Sequence, residues 1–314
     1  MRLPLLRRVL HFFDPDLLSD SVANAGFEQR LLSRGRFNGE MHRVHLPDCN
    51  VDCGRYSLPC LGRSAVPDGW VMIAVTRYNS QPAWANGYHT ESNHVQLFAE
   101  GASLDYRAVA NAWWYVIQLR REWLQLQSLQ ILKKEVDFPC HGAANLIASE
   151  FNVMQLVRQL NAIFFSPWPQ ITNQPLYAQT LLIDAVLTVL SDATPVETKL
   201  RQAAERQAKF MRSIESYLSL HLAEPFYVQN MVKSTKIDER TLQRHCRQIY
   251  GLTPVQLFGV ARLNQIRREL QSADRENACI RSLIERFGVV HQGRFSVEYR
   301  KHFGEHPTET LKRY

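Results

Sequence analysis

Between residues 227 and 303 the chain twice repeats one arrangement, a short amphipathic helix, a tight turn and a second amphipathic helix, and nothing else in it constrains the fold as strongly. In the first copy Val228, Met231 and Val232 fall at helical spacing within Tyr227 to Ser234. A polar break follows, and Asp238-Glu239 opens a helix expected to run to about Tyr250-Gly251. At about 100° per residue, Leu242, Cys246 and Ile249 share one side of that helix, while Arg240, Gln243, Arg244 and Arg247 share the other with no acidic residue in the stripe. In the second copy Ile280, Leu283, Ile284 and Phe287 make an apolar face ended by Gly288, and Phe295, Tyr299 and Phe303 mark the buried side of the next helix. Opposite them lie Gly293, Arg294, Val297 and Lys301, with Gln292 at the helix start. Between the copies, Pro254 to Gln271 reads as one helix with proline in its first turn and Leu257, Leu263, Ile266 and Leu270 as its apolar residues.

The donor stripes define a chemistry. Arginine grips guanine O6 and N7 with two donors, and glutamine pairs with adenine N6 and N7, so the first stripe carries what a major-groove reader needs. One such helix is also what a solvated amphipathic face looks like; its recurrence favours the reader. The connecting helix would be about 27 Å long, near the roughly 34 Å between successive major grooves on one side of B-DNA. Charge points the same way. From residue 209 onward there are 18 lysines and arginines against 11 acidic residues, so the whole formal charge of +7 falls there and the upstream part is neutral. A cationic module on a neutral body suits a polyanion, whose counterions it releases, although a basic surface that serves only solubility has the same balance.

The remaining residues are sufficient for a second domain, since 314 residues exceed one ordinary core. Gly39 to Leu46, Trp70 to Arg77, His94 to Phe98 and Ala112 to Leu119 read as strands, separated by turn signals such as Pro67-Asp68-Gly69 and Asn86-Gly87. Apolar residues at Leu146, Ile147, Phe151, Met154, Val157 and Leu160 suggest a helix over Ala143 to Phe165, and a second is expected from Leu176 to Leu190. Ser191 to Ala208 is polar enough for a connector, its second half admitting a helical turn or two. Cys49, Cys53, Cys60, Cys140, Cys246 and Cys279 are dispersed and expected to be reduced; no common zinc spacing occurs. No apolar run approaches a membrane span, and Arg7 and Arg8 interrupt the basic, apolar stretch Met1 to Phe13 that otherwise looks like a weak signal peptide. A cytoplasmic protein without a membrane partner is expected.

From about Lys209 to Tyr314 the chain resembles the DNA-binding domain of the AraC/XylS family of bacterial transcription regulators. The matching features are Leu242-Gln243-Arg244 in the first recognition helix, Gly251 to Pro254 at the entry to the linker helix, Arg262-Leu263-Asn264 within it, and Phe303-Gly304 with Pro307 at the close. Departures are Val289 where the family has a bulky aromatic, Val297 where a basic residue is common, and Cys246 in place of phenylalanine. The first two predict looser packing and fewer donors in the second unit. The resemblance implies an α+β chain: a strand-rich, cupin-like effector or dimerisation domain with helices over residues 1–195, a linker over 196–208, and an all-α DNA-binding domain over 209–314 with two helix-turn-helix units joined by a linker helix. It implies a regulator that catalyses no reaction and needs no cofactor or metal, with promoter DNA as partner. RNA polymerase, a small-molecule effector and a second copy of the chain are further candidates. Activation is the expected sign. Arg240, Gln243, Arg244, Gln292, Arg294 and Val297 would face bases, and Arg247, Arg300 and Lys301 would lie on or near phosphates.

Other readings remain open at this point. Trp84, Trp113, Trp114 and Tyr115 could line an effector pocket or be core, and Arg30, Arg34 and Arg36 could grip a phosphate-bearing molecule or be solvated. His42, His45, His89 and His94 would be the ligands of a cupin-like metal-dependent enzyme. A regulator that senses nothing and acts by oligomerisation through the helices of 143–190 is the third alternative.

Overall fold

The computed structural model describes residues 6–12, 14–15, 28–76, 83–91, 93–139, 142–165, 174–275 and 277–313. Strand follows strand from β1 (Leu6–Phe12) and β2 (Glu28–Leu31) through β3 (Gly39–His45), β4 (Cys49–Tyr56), β5 (Cys60–Ala65) and β6 (Trp70–Thr76). β7 (Ala83–Ala85), β8 (Tyr88–Thr90), β9 (His94–Phe98), β10 (Ser103–Ala108) and β11 (Trp114–Arg120) complete the run. The stretch that resembles a weak signal peptide is thus in large part an edge strand, β1 pairing antiparallel with β3. Arg77 and Cys140 lie outside the described residues.

Helix α1 (Arg121–Leu132) leads to β12 (Ala143–Ile147), α2 (Glu150–Phe165), α3 (Pro175–Asp192), β13 (Thr194–Pro195) and α4 (Thr198–His221). The strands form two antiparallel sheets, ordered β1-β3-β4-β11-β6-β9-β12-β13 and β2-β5-β10-β7-β8. Strand alternation divides the larger sheet into two faces. Val51, Ile73, Val95, Tyr115, Ile117 and Leu119 pack under α2 and α3, joined there by Val153, Leu156, Leu160, Leu182 and Val186. Trp114, Val116 and Gln118 face the smaller sheet across a cavity. Asn86-Gly87, with φ of 48° and 82°, makes the tight β7–β8 turn that the dipeptide forecasts, both residues taking the positive φ that suits such a hairpin.

Two expectations are corrected. Ala143–Ile147 is a strand paired with β9, and the helix begins only at Glu150, because five residues satisfy period two and period 3.6 about equally and the open edge of β9 claims them. The helical register moves with it: Phe151 and Met154, expected on the apolar face, are 61% and 58% exposed, and α2 buries Val153, Leu156, Leu160, Ile163 and Phe164 instead. The polar stretch 196–208 is helical from Thr198, and α4 continues unbroken to His221, burying Phe210, Met211, Ile214 and Leu218.

The C-terminal part is helical throughout, with α5 (Val228–Thr235), α6 (Glu239–Tyr250), α7 (Pro254–Ser272), α8 (Ile280–Arg286), α9 (Gln292–Phe303) and α10 (Pro307–Arg313). Their ends follow from side chains. Asp238 caps α6 by accepting from Thr241 N at 2.9 Å, and Gly251 ends it at φ +71°, where a Cβ would be strained. Thr253 and Gln256 form a reciprocal capping box at the start of α7, followed by Pro254 in its first turn. No described helix is long and apolar enough to cross a membrane. Cys49, Cys53, Cys60 and Cys246 are buried free thiols and Cys279 is an exposed one.

Candidate nucleic-acid interface

Each helix-turn-helix unit buries the face that periodicity assigns. In α6, Leu242, Cys246, Ile249 and Tyr250 are buried against Met231 of α5 and Leu257 and Phe258 of α7. Burial pushes the Cys246 thiol up to about 12, so it stays protonated and serves as a small hydrophobe. Arg240, Arg244 and Arg247 point to solvent. Gln243 is half-buried, and its Nε2 donates to Glu239 Oε1 at 2.9 Å, while Gln229 Nε2 of α5 holds the other carboxylate oxygen at 2.9 Å. The first turn of α6 therefore carries an acidic group beside the stripe, one that steadies Gln243.

In α9 the buried side is Phe295, Tyr299, His302 and Phe303. Gln292, Gly293, Arg294, Val297, Arg300 and Lys301 are exposed, Val297 at 53%. Tyr299 reaches Thr310 across a buried hydroxyl pair at 2.8 Å, and Thr310 Oγ1 donates to Glu305 at 2.7 Å, which fixes α10 behind the helix. Val289 is half-buried in the same cluster as Tyr299 and Phe303. Leu263 of α7, expected in the core, is half-buried, whereas Leu257, Ile266 and Leu270 are fully buried.

Sequence reasoning misses a third group, the one that fastens this module to the first half. Arg267 of α7 is 3% exposed and donates to Asp14 at 2.7 Å and Glu305 at 3.0 Å. Asn264, also buried, accepts from Leu31 N at 3.0 Å and donates to Leu31 O at 3.1 Å. Arg268 donates to Gln29 O at 2.7 Å. The arginines near residue 30 belong here: Arg30 pairs with Glu215 of α4 at 2.8 Å, Arg34 with Glu298 of α9 at 2.7 Å, and Arg36 packs against Gly304. They diverge onto different helices and form no phosphate cradle. The only hint in the sequence is the set of polar residues on the inner side of the linker helix.

The aromatic residues of the first half divide. Trp84, Trp113, Trp114 and Tyr115 all contribute to the lining of the cavity between the sheets, of about 120 Å³, and the indole Nε1 atoms of Trp84 and Trp114 are buried without an acceptor. Tyr115, one position along β11, faces the other way and donates to Asn161 of α2 at 2.8 Å; Trp113 packs on His42 and Phe165 with Arg55 over its ring. The four candidate metal ligands do not converge. His42 bonds Glu40 at 2.6 Å, His45 bonds Asn50 at 2.7 Å, His94 lies near the His89 carbonyl, and His89 meets the Trp84 ring edge-on. Among the described residues no three histidine, cysteine or acidic side chains form a group able to hold a metal ion.

A family model described as a helix-turn-helix domain matches residues 231–313. A probable thc operon regulatory protein of Rhodococcus erythropolis is 29% identical over 102 residues, 32% of this chain and 31% of that protein. The HTH-type transcriptional activator RhaS of Salmonella schwarzengrund is 26% identical over 188 residues, 57% of this chain and 61% of that protein. The chain therefore spans less than two thirds of the length of either relative. Among solved structures, the AraC-like transcriptional activator CuxR is 15% identical with a TM-score of 0.39, covering 84% of this chain and 96% of that one. The family-model match falls on the residues that build the paired helices, and with the motifs they carry it identifies the C-terminal part of this chain as the double helix-turn-helix domain of an AraC/XylS-type transcription regulator.

Proposed function

We propose that the chain is a sequence-specific, DNA-binding activator in which α6 and α9 enter successive major grooves. The observation that supports this most directly is that both helices bury their apolar side and leave the basic residues of their donor stripes exposed. Arg240, Gln243 and Arg244 from α6 and Gln292, Arg294 and Val297 from α9 are read as base-facing, with Val297 offering an apolar contact to a thymine methyl. Arg247, Arg300 and Lys301 are read as phosphate contacts. The α7 helix, fixed at its start by the capping box, spaces the two. Activation through RNA polymerase, action as a homodimer and a cytoplasmic location accord with the family and with the relative described as an activator.

The cavity of the first half is the proposed effector site. It is lined largely by apolar and aromatic side chains, and its two unpartnered indole donors await an acceptor. Its lining also carries Asp52, which is held by Arg43 at 2.7 Å, and the polar side chains of His94 and Arg107, so an apolar ligand with a polar group is the class proposed.

The test of the interface begins with genomic fragments captured by the full chain and sequenced. On the recovered site, Arg244→Ala is expected to weaken binding by about 1–3 kcal/mol and to relax preference at one base pair. An unchanged binding curve at fixed salt would remove α6 from the interface.

A further inference from the structure

Glu239 opens α6, and its two carboxylate oxygens are met by neutral amides rather than by an arginine. Gln243 Nε2, one turn along the same helix, donates to Oε1 at 2.9 Å, and Gln229 Nε2 of α5 donates to Oε2 at 2.9 Å. The Asp238 cap, accepting from Thr241 N at 2.9 Å, holds the turn from which Glu239 projects. A carboxylate only accepts, so the side of the Gln243 amide that faces Glu239 is its nitrogen, and the Gln243 carbonyl oxygen is turned away. That nitrogen has two hydrogens, of which Glu239 takes one. Gln243 is left with one N–H and one carbonyl oxygen to offer, in a fixed order, on a half-buried side chain among the exposed Arg240, Arg244 and Arg247.

We infer that Glu239 is a positioning residue that sets the base preference of α6, by holding the Gln243 amide in the one orientation that selects adenine. The inference rests on the reading of α6 as a major-groove helix and adds which base its glutamine chooses and what makes it choose. Adenine shows an acceptor at N7 beside a donor at N6, whereas guanine shows acceptors at both N7 and O6. The N–H and carbonyl left on Gln243 answer adenine with two hydrogen bonds. On guanine the carbonyl oxygen meets O6, acceptor against acceptor. A glutamine released from Glu239 is free to turn its amide over and offer N–H to O6, so it tolerates guanine. Glutamine is also rich in rotamers, and ordering it before contact removes part of the cost of binding. The carboxylate itself opposes phosphate, so Glu239 adds nothing to general affinity for DNA and its effect falls on selectivity.

Selection of binding sites from randomised duplexes by the full chain, followed by titration at fixed salt on the selected site and its single-base variants, tests this. Gln243→Ala first locates the base pair that side chain reads, as the pair whose preference it relaxes. There the wild type is expected to favour A·T over G·C by about tenfold, the worth of one bidentate contact, and Glu239→Ala to cut the ratio to about threefold or less. Preferences at the other pairs should stay as in the wild type, and affinity for non-specific duplex should be equal or higher because a negative charge has gone. Glu239→Gln keeps an acceptor for the Gln243 amide and is expected to retain most of the preference. Glu239→Asp keeps the charge that suits a helix start but is one methylene short, and is expected to lose it. A located pair as sharp in Glu239→Ala as in the wild type, a uniform loss of affinity for every sequence, or a preference kept by Glu239→Asp and lost by Glu239→Gln overturns the inference and leaves α6 standing as a reader. A wild-type preference for G·C at that pair overturns the choice of adenine. If Gln243→Ala relaxes no pair, the reading of Gln243 as base-facing fails and the inference falls with it.

Discussion

His302 stands on the buried side of a helix whose other side is charged, and its environment leaves the imidazole little choice of state. Burial, with Arg34 and Arg267 nearby, lowers its pKa from the usual 6.5 to about 4, against the smaller opposing effects of Glu298 and a hydrogen bond to the Leu31 backbone. A histidine held neutral in the folded chain and free to protonate in the unfolded one favours folding fully above pH 6.5, and the benefit is lost as pH falls toward 4. Equilibrium unfolding is therefore expected to show a stability loss on the order of 3 kcal/mol across that window, absent from His302→Gln. Equal pH profiles for the two proteins would mean that His302 is solvated in the native state. Residues of this kind are illegible in a sequence. Arg244 and Arg240 could be placed on the outer stripe by counting along the helix, but that the histidine one turn behind Glu298 would be shut against β2 depends on a chain segment some 270 positions away.

Elements were legible to the degree that their ends carry signals. The start of α7 has Thr253, Pro254 and Gln256 in the order a capping box requires, and the hydrogen bonds follow: Gln256 N donates to Thr253 Oγ1 at 3.3 Å and Thr253 N to Gln256 Oε1 at 2.9 Å. Thr253→Ala should cost about 1 kcal/mol of stability in thermal or urea denaturation, with Thr253→Ser near neutral. If alanine is also neutral, α7 is held at its start by packing of Pro254 and Leu257 alone. Where such signals are missing the reading failed. Ala143–Ile147 carries no cap or breaker that separates strand from helix, and β1, β5 and β10 contain arginines and serines that blur alternation because their polar side chains are used: Arg63 of β5 pairs with Asp105 of β10 at 2.5 Å. The stretch 196–208, polar because only one side of α4 is covered there, looked like a connector for the same reason.

Across the whole molecule the decisive feature is a charged residue in the seam between the two halves. Arg267, beneath the linker helix, answers Asp14 from the first half and Glu305 from the end of the second unit, all three nearly inaccessible to water. Such a group contributes little while paired, yet its removal takes the arginine cation from the buried Asp14, while Glu305 keeps Arg313 and Thr310, so Arg267→Met is expected to destabilise the full chain by about 3 kcal/mol. Denaturation with both tryptophan fluorescence and circular dichroism would check this; a variant as stable as the wild type would show that the seam opens in solution. The sequence by itself determined the two helix-turn-helix units, their buried and exposed faces, the location of the positive charge and a strand-rich first half, because periodicity, caps and charge are local and act over a few residues. Tertiary structure alone decided that the Trp84 and Trp114 indoles are buried beside a cavity while the Tyr115 hydroxyl turns to α2, that Arg30 reaches α4 whereas Arg34 and Arg36 meet α9 and its C-terminal end, and that the edge of β2 is completed by a helix. Those outcomes depend on which distant surfaces meet, and the free energy that selects them belongs to packing between segments and not to any one of them.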